Sequence, residues 1–272
     1  MADKNRLAYF FYQKHNDLYP VPQIAIDIAT QHAIEVFPHE SVGVVASGQY
    51  FRLRNVHEDP ENFFEVNPRE LLEVEQMYGK IQAVIHSHTK CQFGASKADM
   101  ESQLATGVPY GIITMDRTLV RDFIFFGDGT PIAPYEGRPF KDGIYDCFAL
   151  CRDWLKQEMG IIIPNYPRDP VWWEDDKGTN LIIDNFRKEG FVELEFSQLQ
   201  RGDIVVGSLL SSDRTNHCGV YVGDGRVLHH LYGNEVNPRV SGHDVIYSWK
   251  RMIHKCLRYQ GGLQVPAINA NA

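Results

Sequence analysis

Apolar residues recur along the first half of the chain with two different periods, which predict its helices and strands. Residues 21–37 carry apolar side chains at helical spacing and stop before Pro38, which is typical of an amphipathic helix. Residues 81–88 are almost continuously apolar, as in a buried strand. Two more helices are predicted from their end signals, at 68–80 between Pro68 and Gly79 and at 96–107 after the cap Ser96. Further strands are predicted at 40–46, 50–56, 110–115 and 119–126. This half is therefore predicted to be an α/β domain.

The second half has a different order of elements. Glycine and proline concentrate in residues 127–143, the best candidate linker. Helices are predicted at 145–160 and 180–190, and short strand patterns follow in GDIVVGS, HCGVYVG, RVLHHL and VIYSWK. Helices before strands indicate an α+β domain. The chain is predicted to be α/β plus α+β, with domains at residues 1–128 and 129–260 and a flexible tail at 261–272.

Composition narrows the class of protein. A chain of 272 residues fits about two domains, and its 43% apolar content is typical of globular proteins. The net charge of −8 argues against nucleic-acid readout. No apolar run reaches the roughly 20 residues of a membrane-spanning helix. The N-terminus does not resemble a secretory signal, and five cysteines cannot all pair, so synthesis in the cytoplasm is expected.

One cluster of polar residues resembles a catalytic zinc site. His86 and His88 are two apart on a predicted strand and share a face, and Asp99 follows in the first turn of a helix. Two imidazoles and a carboxylate leave a fourth position for water, whose pKa zinc lowers. Glu40 is the candidate general base. Alternatively, Ser96 and Asp99 could only cap their helix.

Together these residues resemble the JAMM (MPN-plus) metallopeptidases over roughly residues 5–125. The resemblance implies a cytidine-deaminase-like α/β fold, with Zn²⁺ held by His86, His88 and Asp99. It also implies that Glu40 moves the protons of the attacking water and that Ser96 stabilises the oxyanion. Alanine at position 95 departs from the proline that is frequent in the family.

A second cluster of residues is typical of a thiol nucleophile. Cys147 lies in the first turn of a predicted helix, whose N-terminus would lower the pKa of the thiol. His217 is the candidate base. A three-residue turn would place His229 on the face of His217, whereas a two-residue turn would place His230 there. The alternative is a structural zinc site built from Cys147, Cys151, His217 and Cys218, although Cys-x-x-x-Cys on a helix lacks the usual metal-binding turn.

The segments PYEGRPFKDGIYDCFAL, LQRGDIVV and NHCGVYVGDGRVLHHL resemble the NlpC/p60-type cysteine peptidases, which have a papain-like fold. The resemblance implies that Cys147 attacks, that His217 is the base and that His229, twelve residues later, orients it. It further implies that Tyr135, twelve residues before Cys147, helps to form the oxyanion site. Phe148 departs from the serine usual after the nucleophile.

A JAMM domain followed by an NlpC domain resembles the tail assembly protein K family of bacteriophages with long, non-contractile tails. This resemblance implies a virion tail-tip component, made in the host cytoplasm, with other tail-tip proteins and peptidoglycan stem peptides as partners. Its peptidoglycan endopeptidase activity would open the wall locally during genome entry. Two alternatives stay open at this point: a structural tail-tip adaptor with unused sites, and a bacterial wall-remodelling hydrolase.

Overall fold

The computed structural model describes residues 19–170, 172–174, 180–209, 214–233 and 239–261. The chain separates into two compact units. The first contains residues 19–145 with 167–170 and 233, and the second contains the other described residues from 146 onward. No helix in these ranges is both long and apolar enough to cross a membrane. The predicted flexible tail lies outside the described residues except for Gly261.

The described residues of the first unit form one five-stranded sheet and three helices. The helices are α1 (Gln23–Val36), α2 (Pro68–Tyr78) and α3 (Lys97–Thr106). The strands are β1 (Val42–Ala46), β2 (Gln49–Leu53), β3 (Ile81–His88), β4 (Tyr110–Asp116) and β5 (Leu119–Phe126). Their order in the sheet is β2-β1-β3-β4-β5, and the pair β3 and β4 is parallel. The predicted elements of this half are present with ends shifted by a few residues.

Helices cover both faces of this sheet. Buried residues of α1, among them Ala29 and Ala33, pack with Ile85 and Ile113 on one face. Val74 of α2 and Met100 of α3 belong to the cluster on the other face. Because side chains alternate along a strand, β3 points Ile85 towards α1, and Val84 and the histidines at 86 and 88 towards α3.

The glycine- and proline-rich segment after β5 packs onto the first unit. Ala133, Ile144 and Tyr145 join the apolar cluster under α2 and α3. Lys141 is buried and its Nζ lies 2.6 Å from Asp122 Oδ2 on β5. These contacts explain why the first unit extends to residue 145, beyond the expected linker. The predicted boundary at 128/129 stays a prediction.

The second unit has a six-stranded sheet with helices around it. The helices are α4 (Cys147–Met159), α5 (Leu181–Lys188) and α6 (Ile246–Trp249). The strands are β6 (Phe191–Leu194), β7 (Ile204–Gly207), β8 (His217–Gly223), β9 (Arg226–His229), β10 (Gly242–Val245) and β11 (Ile253–Tyr259). The order is β10-β9-β8-β7-β11-β6 and every neighbouring pair is antiparallel. Helix α4 packs on β8 and β9.

The sequence pattern predicted one element of this unit wrongly. VIYSWK was expected to be a strand, but Ile246–Trp249 form helix α6 and bury Ile246 and Trp249. Three strands, β6, β10 and β11, were not predicted. Their residues are largely polar or half-exposed, as in β10 with its pattern GHDV, so hydrophobic alternation does not mark them.

The turn between β8 and β9 combines features of both expected loops. Gly223 pairs with Arg226, so the turn has two residues, Asp224 and Gly225, both with positive φ. The register shifts between Tyr221 and Gly223, where the extra residue forms a bulge. The bulge restores the pairing of Gly219 with His229 that a three-residue loop would have produced.

One buried histidine predicts a pH dependence of stability. His32 on α1 is 6% exposed and its Nδ1 lies 3.0 Å from the Tyr50 hydroxyl oxygen. Burial, and next the charge of Arg52, lower the pKa of His32 to about 4. Below pH 6.5 this histidine takes up a proton in the unfolded state but not in the folded state. Its contribution to the free energy of unfolding is therefore fully present above pH 6.5 and is lost as the pH falls towards 4.

We therefore expect the wild-type first unit to lose about 3 kcal/mol more free energy of unfolding between pH 7 and pH 4 than His32→Gln. Glutamine can still hydrogen-bond to Tyr50 but does not titrate. Hydrogen exchange of amides in β1 and β3 measures the free energy of opening of this unit. Equal pH dependence in the two proteins would contradict the assignment.

Candidate active sites

Three polar side chains of the first unit converge beside β3. His86 Nε2 lies 3.1 Å from His88 Nε2 and 3.1 Å from Asp99 Oδ1, and His88 Nε2 lies 3.2 Å from Asp99 Oδ2. All three residues are buried. In the described part of the chain, they are the one set of three His, Cys, Asp or Glu residues whose ligand atoms all lie within 4.8 Å of one another.

The spacing and tautomers of this cluster fit a tetrahedral metal ion. Ligands about 2.0–2.1 Å from a tetrahedral zinc ion are separated by about 3.3 Å. The backbone carbonyl of Gln92 lies 3.0 Å from His88 Nδ1 and accepts a hydrogen bond from Nδ1–H, so in neutral His88 the Nε2 lone pair is directed into the cluster. His86 stacks against Phe64 with ring centroids 4.6 Å apart. The donor set of two imidazoles and a carboxylate therefore fits zinc.

Burial and mutual contacts set the charges in the cluster. Burial lowers the pKa of His86, so this imidazole is neutral. Burial opposes ionisation of Asp99, but its contacts with His86 and His88 together outweigh burial and hold the pKa of Asp99 well below its usual range. Burial also opposes protonation of His88, yet its hydrogen bond to Asp99 raises the pKa of His88. A cation that bound here would displace that proton.

Ser96 and Asp99 cap helix α3 and also take part in the cluster. The Ser96 hydroxyl accepts a hydrogen bond from the Asp99 amide at 3.1 Å, and Asp99 Oδ2 accepts one from the Ser96 amide at 2.8 Å. The same carboxylate contacts both histidines. Capping and ligand geometry are therefore compatible, because one carboxylate has four lone-pair directions.

Glu40 precedes β1 and is buried within reach of the cluster's charges. Burial raises its pKa to about 7, while His88 lowers it and Asp99 raises it. A carboxyl group with a pKa near neutrality can both accept and release a proton at working pH. This property suits the role of general base expected for Glu40.

In the second unit, Cys147 is the first residue of α4. Asp146 caps the helix, since its Oδ1 accepts a hydrogen bond from the Ala149 amide at 2.8 Å. The half-buried Cys147 thiol is in hydrogen-bonding contact with Cys218 and His217 at the start of β8. Helix capping and strand pairing thus bring the candidate nucleophile and the candidate base together.

The pKa of Cys147 is raised, whereas its position at a helix N-terminus predicted that it would be lowered. The hydrogen bond to Cys218, followed by burial, raises the pKa of the Cys147 thiol well above its usual value, although His217 lowers it. The expectation of a thiolate stabilised by the helix N-terminus was therefore wrong for this structure. A raised pKa favours the neutral thiol, so attack by the candidate nucleophile would require proton transfer to a base.

The strand register places His229 beside His217. His229 Nδ1 lies 3.3 Å from His217 Nε2, and the two rings are perpendicular. His230 is the next residue, directly after β9, and is fully buried. Because adjacent strand residues point to opposite faces, the bulge before the turn decides which of the two histidines faces His217.

Tyr135 and Cys151 are the other residues named in the predictions for the thiol site. Tyr135 belongs to the first unit by its contacts, and the Arg138 guanidinium lies 5.7 Å from its ring centroid. Its proposed oxyanion role stays a prediction. The Sγ atoms of Cys151 and Cys218 lie 3.8 Å apart. Among the described residues, these two cysteines do not form a metal-ligand group with Cys147 and His217.

Sequence reasoning missed Asp244 and Trp249. Asp244 Oδ2 lies 3.1 Å from His229 Nε2, and the Trp249 ring packs edge to face on His229 at 4.5 Å. Both residues lie in elements that were unpredicted or predicted wrongly, β10 and α6. The adjacent His243-Asp244 pair was the one chemical signal, but nothing local indicates that it meets His229.

Comparison with known protein families gives a match to one segment of the chain. Residues 134–256 match the NlpC/P60 family, and the matched segment includes Cys147, His217 and His229. An NlpC/P60 family protein from Bacillus cereus ATCC 10987 is similar with 14% identity and a TM-score of 0.29, covering 88% of this chain and 67% of that one. A score this low carries no argument about the fold.

Two curated relatives match far more of the chain. It is 30% identical over 244 residues to tail tip assembly protein K of Escherichia phage N15, covering 88% of this chain and 95% of the relative. It is also 30% identical over 195 residues to tail tip assembly protein K of Escherichia phage lambda, covering 72% of this chain and 89% of that protein. On this similarity, the chain belongs to the tail tip assembly protein K family.

Proposed function

We propose that the second unit is a cysteine endopeptidase that cuts the stem peptides of peptidoglycan, between D-glutamate and the diamino acid. The observation that carries the proposal is the contact of Cys147, at the start of α4, with His217, which has His229 directly behind it. The NlpC/P60 match over this segment supports the same class of chemistry.

In the reaction we propose, Cys147 attacks the substrate and His217 transfers the protons. His217 takes the proton of the neutral Cys147 thiol as the sulfur attacks the scissile carbonyl carbon. His217 then returns the proton to the leaving amine, which breaks the C–N bond and leaves a thioester. Water hydrolyses the thioester with His217 again as base, and His229 orients the imidazole. The Cys147 amide and Tyr135 are the proposed oxyanion donors.

We propose a tail-tip location for this activity. The names of the phage N15 and phage lambda relatives support a role in tail-tip assembly, with other tail-tip proteins as partners. Synthesis in the host cytoplasm and local opening of the wall during genome entry follow from that proposal. Family membership favours it over a bacterial wall-remodelling enzyme.

For the first unit we propose a JAMM-type zinc peptidase site. His86, His88 and Asp99 would hold the ion, and zinc, when bound, would activate a water molecule. Glu40 would accept and release protons, and the Ser96 hydroxyl would stabilise an oxyanion. The triangle of ligand atoms with edges of 3.1–3.2 Å supports this assignment.

Digestion of purified sacculi tests the thiol site. We expect the wild type to release soluble fragments and Cys147→Ala to lose this activity by about a thousand-fold or more, because no other group replaces the nucleophile. His88→Ala should digest normally if the second unit alone cuts the wall. Cys91→Ala is the matched control, since Cys91 is a half-buried cysteine of the first unit.

Equal solubilisation by wild type and Cys147→Ala would contradict the assignment of Cys147 as the nucleophile. No solubilisation by the wild type would favour the structural adaptor instead.

Metal analysis tests the first unit. The purified chain, dialysed against zinc-free buffer, should retain about one zinc per chain, because three protein ligands are already gathered. His88→Ala and Asp99→Asn should lose it, whereas His39→Ala, which removes an exposed histidine of the same unit, should not. Absence of stoichiometric zinc in the wild type would remove the metallopeptidase proposal.

Alkylation tests the resting state of the thiol. Because Cys218 raises the pKa of Cys147 and His217 lowers it, Cys218→Ala should speed alkylation of Cys147 at pH 8 and His217→Ala should slow it. Peptide mapping by mass spectrometry after iodoacetamide treatment resolves Cys147 from the other cysteines. Changes of the same sign in both variants would contradict this account.

A further inference from the structure

A third side chain stands behind the two histidines of the thiol site. Asp244 Oδ2 lies 3.1 Å from His229 Nε2, and His229 Nδ1 lies 3.3 Å from His217 Nε2. Successive contacts therefore connect the Asp244 carboxylate through the imidazoles of His229 and His217 to the Cys147 thiol. Both His217 and His229 are buried, whereas the Asp244 side chain is 52% exposed.

Strand pairing places Asp244 on the side of the sheet that carries His229. On β10, Asp244 is opposite Val227 and Gly242 is opposite His229. Val227 and His229 are two apart and share a face, so Asp244 is a diagonal neighbour of His229 on that face. The contact therefore follows from the register of an edge strand rather than from a loop.

Trp249 holds the carboxylate and the rings in place. Its Nε1–H donates a hydrogen bond to Asp244 Oδ2 at 3.2 Å, the same oxygen that faces His229. Its buried ring also packs against His229 at 4.5 Å and His217 at 5.2 Å between centroids. Helix α6 thus supplies a donor that selects the rotamer of Asp244.

We propose that Asp244 is a positioning residue that sets the tautomers of His229 and His217; this inference rests on the proposed cysteine peptidase function. The carboxylate can only accept, so His229 carries its proton on Nε2 and offers the Nδ1 lone pair. His217 then donates its Nε2–H to His229, which leaves Nδ1 as the nitrogen that takes the proton of Cys147. Without Asp244, His229 can adopt the other tautomer and present an N–H to His217 Nε2. His217 would then carry its proton on Nδ1 and could not act as the base.

Two substitutions distinguish the effect of the Asp244 charge from the effect of its hydrogen bond with His229. In Asp244→Asn, the Trp249 N–H selects the amide oxygen at the Oδ2 position, so the tautomer of His229 is kept while the charge is lost. In Asp244→Ala both are lost. Glu193→Gln is the matched control, because it removes an exposed carboxylate from β6, at the opposite edge of the same sheet.

Kinetics on the soluble stem tetrapeptide L-Ala-D-Glu-diaminopimelate-D-Ala give the first readout. We expect kcat to fall about five-fold in Asp244→Asn, the upper range for a half-exposed ion pair, with KM unchanged. In Asp244→Ala it should fall by at least about ten-fold, because the tautomer is lost as well. Glu193→Gln should match the wild type.

The pH profile gives a readout that a purely structural role would not change. Among the described residues, His217 on β8 and Asp244 on β10 contact His229, and the charge of His243 on β10 also acts on it. Burial lowers the pKa of His229, Asp244 raises it and His243 lowers it. Loss of Asp244 should therefore move the acid limb of kcat/KM to lower pH in both variants. An unmoved acid limb would overturn the proposal.

Nitrogen NMR of the histidine side chains tests the tautomer without any activity. His229 should carry its proton on Nε2 in the wild type and in Asp244→Asn, and lose this preference in Asp244→Ala. The same tautomer in all three proteins would overturn the positioning role even if the wild type cleaves the peptide. Failure of the wild type to cleave, with the tautomer shift present, would instead refute the proposed function alone.

Discussion

In both units, the candidate site depends on a helix N-terminus held at one end of a buried strand. Helix α3 begins after Ser96 and brings Asp99 to the end of β3, and α4 begins at Cys147 and contacts the start of β8. A capping side chain sets each helix start by satisfying an amide that has no partner within the helix. The position of the reactive group therefore depends on a local hydrogen bond and on packing of the helix against the sheet.

Burial shifts the pKa values of several candidate site residues in the direction that favours their neutral forms. It raises the pKa of Glu40, contributes to the raised pKa of Cys147 and lowers the pKa of His86 and His229. Asp99 and His88 are exceptions: burial opposes both charges, but contacts with His86 and His88 lower the pKa of Asp99, and the contact with Asp99 raises the pKa of His88. In the proposed mechanism, the buried Cys147 thiol becomes a nucleophile only when His217 takes its proton.

Family membership and site geometry account for different parts of the protein. The 30% identity to the phage N15 relative spans both units, whereas the NlpC/P60 match is confined to residues 134–256. The three-ligand cluster beside β3 lies outside that match, so its assignment depends on geometry and on the resemblance of its motif. Apolar patterns, together with end signals at Pro68, Gly79 and Ser96, predicted the helices and strands that the described residues of the first unit form.

The sequence by itself determined the pairing of His86 with His88, the cap at Ser96 and the helix that begins at Cys147, because these depend on spacings within one element. It left open whether His229 or His230 meets His217, since a bulge of one residue reverses the face of a strand. It also indicated no role for Asp244, whose strand pairs at the sheet edge without an apolar pattern. Only the tertiary structure decided these contacts, because strand register and edge pairing depend on residues distant in sequence.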